Sequence, residues 1–279
     1  MSTIAAPDGR LRVASFGVTL ELICADAEIL PRAVEALPPG WTLAPPDARA
    51  AVTIELSRPA IGARRPVTLR VDGVVRATAL RLATVIDLLE VAVREEVARR
   101  SPTMLFVHAG VVAVADHAIV VPGASASGKT TLVSALLAAG AEYGSDDYAV
   151  IDGDGLVHPY PRRLSVRQGP HRRQRLSAAE VAGAPVMPAP LPIGLLVFTE
   201  YHADAQWSPS QLSAGQAAMA LLAHTLAARD RPADALRILA NATNRAVALA
   251  GPRGDASDSA VRILAAARAA IQHAAEAPE

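Results

Sequence analysis

Three segments that follow one another between residues 117 and 140 constrain the fold of this 279-residue chain more than any other feature. The run His117–Pro122 is apolar and rich in β-branched residues without polar alternation, which predicts a buried strand. A loop with two glycines follows, and Leu132 and Leu136 then share one face of a predicted helix that Gly140 ends. A strand, a glycine-rich loop and a helix in this order predict an α/β core.

The loop between the predicted strand and helix has the pattern Gly-x-x-x-x-Gly-Lys-Thr. The chain has a single lysine among its 27 basic residues, and this Lys129 stands in the pattern. Backbone N–H groups of such a loop converge on phosphates, the lysine contacts the β and γ oxygens, and the threonine hydroxyl binds Mg²⁺. The sequence therefore predicts a nucleotide site with Thr130 as a metal ligand. The predicted binding residues are Gly123, Ala124, Ser125, Ala126, Ser127, Gly128, Lys129, Thr130 and Thr131.

The composition excludes several classes of protein. The formal net charge is zero and aromatic residues make up 3% of the chain, which argues against a nucleic-acid-binding surface. No uninterrupted apolar run of about 18 residues is present, so we expect no membrane-spanning helix. The single Cys24 excludes an internal disulfide and, with no recognisable signal peptide, favours a cytoplasmic location.

The hydrophobic periodicity changes near residue 100. Residues 1–100 alternate strand-like runs with proline-rich turns and end in a helical pattern, which predicts a small α+β domain with a bridging helix. Residues 101–279 predict a P-loop domain with a mixed sheet, because a hairpin leads into the strand before the loop. Within this domain we expect a long surface loop over residues 159–192 and a helix over residues 213–229.

Acidic and imidazole side chains flank the loop. Asp146 and Asp147 stand 17 and 18 residues beyond Lys129, at the start of the next predicted strand. Adjacent strand residues point to opposite faces, so one carboxylate can face a metal and the other an incoming hydroxyl; alternatively, the pair caps a turn. His108 lies in an apolar run 15 residues before Gly123 and is either a core residue or a catalytic one.

In order and spacing, His108, the loop Gly123–Thr131, Gly140 and the pair Asp146-Asp147 resemble the HPr kinase/phosphorylase family. That family is related to ATP-dependent phosphoenolpyruvate carboxykinases. The resemblance covers residues 104–152, and the longer stretch through Val157-His-Pro-Tyr-Pro is similar to the small HPr-kinase-like serine kinases of bacteria. It implies an HPr-kinase-like P-loop core with a mixed sheet.

The resemblance also implies a division of roles. In that family the first aspartate takes the proton from a serine hydroxyl and the second helps to bind Mg²⁺. Carried over, Asp146 is the base, Asp147 is a metal ligand beside Thr130, and Lys129 and His108 belong to the catalytic group. ATP and Mg²⁺ are the implied cofactors. The segment that serves HPr recognition in true HPr kinases is not found here, so the identity of the phosphate acceptor stays open.

Basic residues are dense shortly after the aspartates. We expect Arg167 or a neighbour to neutralise charge at the γ-phosphate in the transition state. Alternatively the cluster binds an acidic or phosphorylated partner, or it forms a solvated basic loop. His158 is a further candidate for an active role. The cluster comprises Arg162, Arg163, Arg167, His171, Arg172, Arg173 and Arg175.

These observations favour an ATP- and Mg²⁺-dependent kinase that phosphorylates a hydroxyl, in the first instance a serine, of a protein or peptide. A small-molecule kinase is the alternative within the same chemistry. A further alternative, from another class, is a nucleotide-binding regulatory or interaction protein with little turnover, which would contain the same loop. The arginine-rich segment favours an extended anionic partner. HPr kinases assemble as hexamers, so a homo-oligomer is also considered.

Overall fold

The computed structural model describes residues 9–45, 47–59, 65–124, 127–167 and 173–276, with the backbone alone for Arg167 and Arg173. It is an α/β structure with mixed sheets. The chain divides into two compact units, Met1–Thr103 (unit 1) and Met104–Glu279 (unit 2). Within the described ranges no helix is both long and apolar enough to cross a membrane.

Unit 1 is built on one mixed sheet. Its elements are β1 (Arg10–Ser15), β2 (Val18–Ile23), α1 (Leu30–Glu35), β3 (Thr42–Leu43), β4 (Val52–Ser57), β5 (Val67–Val71), β6 (Val74–Ala79) and α2 (Leu82–Arg100). The strand order is β3-β1-β2-β4-β5-β6, and β2 and β4 are parallel neighbours. Alternate residues of β1, β4 and β5 are buried, as in a sheet with one face on a core. Helix α2 packs against β5 and β6 and buries Val85, Leu89, Val93 and Val97.

Unit 2 has a larger mixed sheet. Its strands are β7 (Leu105–Val114), β8 (His117–Pro122), β9 (Glu142–Ser145), β10 (Tyr148–Ile151), β11 (Val157–His158), β14 (Ile193–Phe198), β15 (Ser210–Leu212) and β16 (Val247–Ala250). They run in the order β11-β10-β7-β8-β14-β16-β15, with β9 paired to β7. Strands β7 and β8 form the expected antiparallel hairpin, whereas β8, β14 and β16 are parallel. The carboxyl ends of these three parallel strands therefore lie at one edge of the sheet.

Helices cover both faces of this sheet. They are α3 (Lys129–Ala138), α4 (Ala178–Ala182), α5 (Ala214–Leu222), α6 (Pro232–Thr243) and α7 (Ala256–Glu276). In β8, Ala118 and Val120 point into a core shared with α5 and α6, while Ile119 and Val121 point into one shared with α3 and α7. A strand buried on both faces has no polar alternation, which explains the continuous apolar run of β8.

Two expected segments differ from the structure. Residues 159–192, expected to be a loop, contain β12 (Leu164–Arg167), β13 (Arg173–Leu176) and α4. The two strands pair only with each other, and a capping box of Ser177 and Glu180 starts α4. These short elements are stabilised by strand pairing and by a helix cap, so their sequences show little hydrophobic periodicity.

The helix expected over residues 213–229 is shorter, because α5 ends at Leu222. The chain then turns to pair with the first half of β7. The backbone N–H of His108 donates to His224 O at 2.8 Å, and the N–H of Leu226 donates to Phe106 O at 2.9 Å. These long-range hydrogen bonds replace those that a longer α5 would form, and local hydrophobic periodicity does not predict them.

Candidate active site

The glycine loop leads from β8 directly into α3. The N–H of Gly123 donates to the carbonyl oxygen of His108 at 3.1 Å, which fixes where the loop leaves the sheet. Gly128 has a φ of +86°, which residues with a side chain rarely adopt, and a Cβ there would lie 2.6 Å from Nη2 of Arg253, so this position favours glycine. Because α3 begins at the next residue, the free N–H groups of its first turn face the loop.

The Lys129 side chain folds back over this loop. Its Nζ donates to Gly123 O at 2.8 Å and to Ala124 O at 2.6 Å. Burial lowers the pKa of Lys129, and the two nearby aspartates oppose that shift. The ammonium is thus held at the loop and partly removed from water. Two of the predicted binding residues, Ser125 and Ala126, lie outside the described residues.

The two aspartates lie in the connection between β9 and β10, and not at the start of a strand as expected. Ser145, the buried last residue of β9, shapes this connection: its Oγ accepts the N–H groups of Asp147 and Tyr148 at 3.2 and 3.1 Å. In a turn closed by a serine side chain, successive side chains do not alternate between two faces as they do in a strand. The two carboxylates are nevertheless in different environments, because each contacts a different partner.

Asp146 is the aspartate that contacts α3. Thr130 Oγ1 donates to Asp146 Oδ2 at 2.9 Å, so Asp146, and not Asp147, is the direct neighbour of Thr130. Burial raises the pKa of Asp146 from 3.8 to about 7; the Thr130 hydrogen bond opposes this shift, and the charge of Asp147 adds to it. A carboxyl with a pKa near neutrality is suited to accept a proton at physiological pH.

Asp147 forms an ion pair with Arg162. Oδ2 of Asp147 lies 2.5 Å from Nη1 of Arg162, and the side chains are 34% and 14% exposed. The carbonyl oxygen of Arg162 accepts a hydrogen bond from the hydroxyl of Tyr143, a buried residue of β9, at 2.7 Å. Burial, and to a lesser extent the nearby Arg175, lower the pKa of Arg162 to about 10. Arg162 was only one member of the predicted basic cluster, and the structure brings it into the site.

His108 contributes to the site through its backbone. Its N–H and C=O groups hold the segment at His224 and the start of the loop at Gly123, as described above. Its half-buried ring lies 4.8 Å from the ring of Tyr148, the residue opposite it on β10. These contacts position the loop, and a catalytic role for the imidazole stays a prediction.

The basic segment lies partly beyond what the structure describes. Arg167 is the last residue of β12 and pairs in register with Arg173, and its predicted role at a phosphate stays a prediction. His171 and Arg172 lie outside the described residues. The hairpin is held near α3, because the buried Leu164 of β12 joins the core cluster that contains this helix.

His158, expected to have an active role, is the last residue of β11, and its ring contacts the tight turn between β10 and β11. Its Nε2 lies 2.7 Å from Oδ2 of Asp152. The other carboxylate oxygen of Asp152 accepts the N–H groups of Asp154 and Leu156, both at 3.0 Å. These contacts assign His158 to holding the turn.

Arg253 is a site residue that the sequence analysis missed. It is 3% exposed, and its Nη2 donates to the carbonyl oxygen of Gly128 at 3.1 Å. The guanidinium also lies 5.6 Å from the ring centre of Tyr201. Burial lowers the pKa of Arg253. The available signal was its position three residues after the apolar run that forms β16, because ligands bind beyond the carboxyl ends of strands in open α/β sheets.

A cavity of about 530 Å³ adjoins the glycine loop, within the range typical of ligand pockets. Its walls come from the loop, from the carboxyl ends of β14 and β16, and from the turn after α5. Burial, followed by the charge of Lys129, lowers the pKa of His224 in this wall. The lining residues include Gly123, Ser127, Phe198, Thr199, Glu200, His202, His224 and Pro252.

The donor set beside the loop fits Mg²⁺. This ion usually takes one or two carboxylates together with substrate phosphates, and it needs no all-protein cage. Thr130 and the two aspartates supply such oxygen donors. Oδ1 of Asp146 is buried and has no close hydrogen-bond partner among the described residues, although the backbone of Ser165 lies near enough to this carboxyl to lower its pKa. In the described ranges there is no group of three or more His, Cys, Asp or Glu residues that would hold a metal alone.

The structure thus brings together Lys129, Thr130, Asp146, Asp147 and Arg162 at the start of α3. No protein-family model matches the sequence, and no curated protein matches it either. The geometry of this site therefore carries the functional argument.

Proposed function

We propose that unit 2 is an ATP- and Mg²⁺-dependent kinase with an HPr-kinase-like P-loop core, which transfers the γ-phosphate to a hydroxyl of a protein or peptide. The observation that carries the proposal is the 2.9 Å contact between Thr130 and Asp146. It joins a hydroxyl suited to Mg²⁺ and a carboxyl with a pKa of about 7 at the mouth of a glycine loop. Phosphoryl transfer depends on this combination of positioning and charge neutralisation.

Each residue has a stated task in the reaction. The N–H groups of the loop and the ammonium of Lys129 bind the phosphates. Thr130 and Asp147 would hold Mg²⁺, which would supply positive charge to neutralise the phosphates. Asp146 accepts the proton of the attacking hydroxyl as the new oxygen–phosphorus bond forms, and the bond from the γ-phosphorus to the bridging oxygen breaks to release ADP. A positioned base contributes about 10²- to 10⁴-fold to such a step.

The cavity beside the loop suits the nucleoside better than a small acceptor. The sheet order places β14 and β16 on one side of β8 and places β7 and β10 on the other. The cavity lies on the β14 side, and its walls do not include Asp146. An acceptor bound there would be away from the proposed base, which favours an acceptor that approaches from the side of the aspartates.

The single lysine makes nucleotide binding directly measurable. An amine-acylating reagent modifies Lys129 and the α-amine of the chain, and mass spectrometry reads the two sites separately. We expect Mg²⁺-ATP to protect Lys129 at least about tenfold and AMP to give no protection, because Lys129 contacts only the β- and γ-phosphates. The α-amine serves as the internal control. Equal labelling of Lys129 with and without ATP would contradict nucleotide binding at the loop.

Transfer is then tested with γ-labelled ATP and serine-containing peptides that differ in the charge of their flanking residues. We expect label on serine with the wild-type protein. With Asp146→Asn we expect a loss of about 10²- to 10⁴-fold, while the protection of Lys129 is retained. Full transfer by the variant would refute the role of Asp146. Protection without transfer to any peptide or other hydroxyl would favour the nucleotide-binding regulator.

A further inference from the structure

We propose that Arg162 is a phosphate-binding residue of this site, and that its guanidinium leaves Asp147 for the γ-phosphate when Mg²⁺ and nucleotide bind. The inference rests on the proposed function and adds a residue to it. In the structure, Arg162 occupies a carboxylate that the metal needs, so the two cations compete for Asp147. Metal binding at Asp147 therefore releases the guanidinium of Arg162, which then places its positive charge at the γ-phosphate.

The ion pair is placed for such an exchange. Nη1 of Arg162 lies 2.5 Å from Oδ2 of Asp147, and Asp147 is close enough to Lys129 to influence the charge of its ammonium. Lys129 in turn contacts the loop carbonyls of Gly123 and Ala124. Asp147 therefore interacts electrostatically with both the guanidinium of Arg162 and the ammonium of Lys129.

The backbone of Arg162 is anchored independently of its side chain. Its carbonyl oxygen accepts the hydroxyl of the buried Tyr143, and Tyr143 lies on β9, the strand that leads to the aspartates. The neighbouring Tyr160 donates its N–H to Gly144 O on the same strand at 2.9 Å. The Cα of Arg162 therefore stays beside the site when its side chain changes partner.

The local charge balance favours an anion beside Arg162. Arg175 is close enough to disfavour the charge on Arg162, so a second guanidinium lies near that of Arg162. A guanidinium that is 14% exposed loses much stability if its partner is removed and not replaced. Once Mg²⁺ neutralises Asp147, a phosphate is the anion of the reaction that can take its place, and arginine binds phosphate through paired N–H donors.

The adjacent Arg163 supplies a matched control. It carries the same charge, but its side chain is 60% exposed and pairs with Glu180 at 2.8 Å. Arg162→Gln and Arg163→Gln thus remove the same charge from neighbouring positions, and only the first removes the partner of Asp147. Both variants keep the backbone carbonyl that Tyr143 contacts.

The test measures two affinities in the full chain by calorimetry. The first is the affinity for Mn²⁺ without nucleotide, with Mn²⁺ as a stand-in for Mg²⁺. The second is the ratio of affinities for a non-hydrolysable ATP analogue and for ADP, both with Mg²⁺. For Arg162→Gln we expect Mn²⁺ to bind about tenfold more tightly, since its competitor is gone. We also expect the preference for the triphosphate to fall about ten- to hundredfold.

Opposite changes in the two affinities separate this role from a structural one, because a damaged site weakens both. Arg163→Gln is expected to stay within about twofold of the wild type in both measurements. The proposal is overturned if Arg162→Gln binds Mn²⁺ no more tightly than the wild type, or if its preference for the triphosphate is unchanged. Arg162→Met, which also removes the charge, repeats the test if the glutamine variant does not fold.

The two levels of the argument fail differently. A wild-type protein that binds neither nucleotide contradicts the proposed function and this inference with it. A wild-type protein that binds and discriminates the nucleotides, with an Arg162→Gln variant that does the same, contradicts this inference alone.

Discussion

Asp146→Asn is expected to stabilise unit 2 relative to the wild type by about 2–3 kcal/mol more at pH 8 than at pH 5. Burial raises the pKa of this carboxyl from 3.8 to about 7. Between pH 3.8 and about pH 7 the carboxyl of Asp146 keeps its proton in the folded protein, whereas the unfolded chain has released it. The stability of the folded state therefore falls as the pH rises through this window, and the loss is complete above about pH 7.

The magnitude follows from the size of the pKa difference. A rise from 3.8 to about 7 corresponds to about 4 kcal/mol between the lowest and highest pH. Part of this loss has already occurred at pH 5, which leaves about 2–3 kcal/mol between pH 5 and pH 8. Asparagine has the same shape and an oxygen that can still accept the Thr130 hydrogen bond, but it does not ionise. The variant therefore lacks this pH-dependent loss.

The assay is urea unfolding at pH 5 and pH 8, followed by the fluorescence of Trp207, which is buried in unit 2. The chain has two tryptophans, so both proteins carry Trp41→Phe, and the signal then reports on unit 2 alone. Asp154→Asn, which changes an exposed aspartate of the same unit, is the control and should change stability by less than about 0.5 kcal/mol. A difference between Asp146→Asn and the wild type that is the same at both pH values would refute a neutral Asp146 and weaken its assignment as the base.

Three further substitutions test the site. Gly128→Ala places a side chain at a φ of +86° and in contact with a buried guanidinium, so calorimetry should show at least about tenfold weaker Mg²⁺-ATP binding. Gly215→Ala, where a Cβ meets open space, should leave that affinity unchanged, and equal effects of the two would contradict the steric argument. Tyr143→Phe leaves a carbonyl without its 2.7 Å hydrogen bond and should lower the free energy of unfolding by about 1–2 kcal/mol in urea titrations, whereas an unchanged midpoint would argue against the anchor. His158→Gln should keep phosphotransfer within about twofold and cost about 1 kcal/mol of stability; a large loss of transfer in a folded variant would return His158 to the site.

The local features of the fold were predictable because they depend on neighbouring residues. The apolar run of β8, the glycine loop and α3 follow from hydrophobic periodicity and from the conformational freedom of glycine. The mixed sheet followed in the same way from the β7–β8 hairpin. The aspartate pair could be identified as a candidate by residue type and spacing. Its position in a turn could not, because the side chain of Ser145 shapes that turn.

Other features depend on residues far apart in the chain. The early end of α5 depends on backbone hydrogen bonds to β7, more than 100 residues earlier in the sequence. Arg253 reaches the glycine loop because β16 lies two strands from β8 in the sheet, and the order of strands is not written in any local pattern. Arg162 pairs with Asp147 because Tyr143 anchors its backbone to β9.

The chemistry proposed for the loop follows from the order of residues 117–140, since a phosphate-binding loop needs only a strand, glycines, a lysine and a helix in direct succession. The protonation state of Asp146 and the choice of partner for each aspartate depend on burial and on distant side chains, which exist only once the chain has packed. A pKa near 7 is a property of that packed environment, because the same carboxyl in water ionises near pH 4.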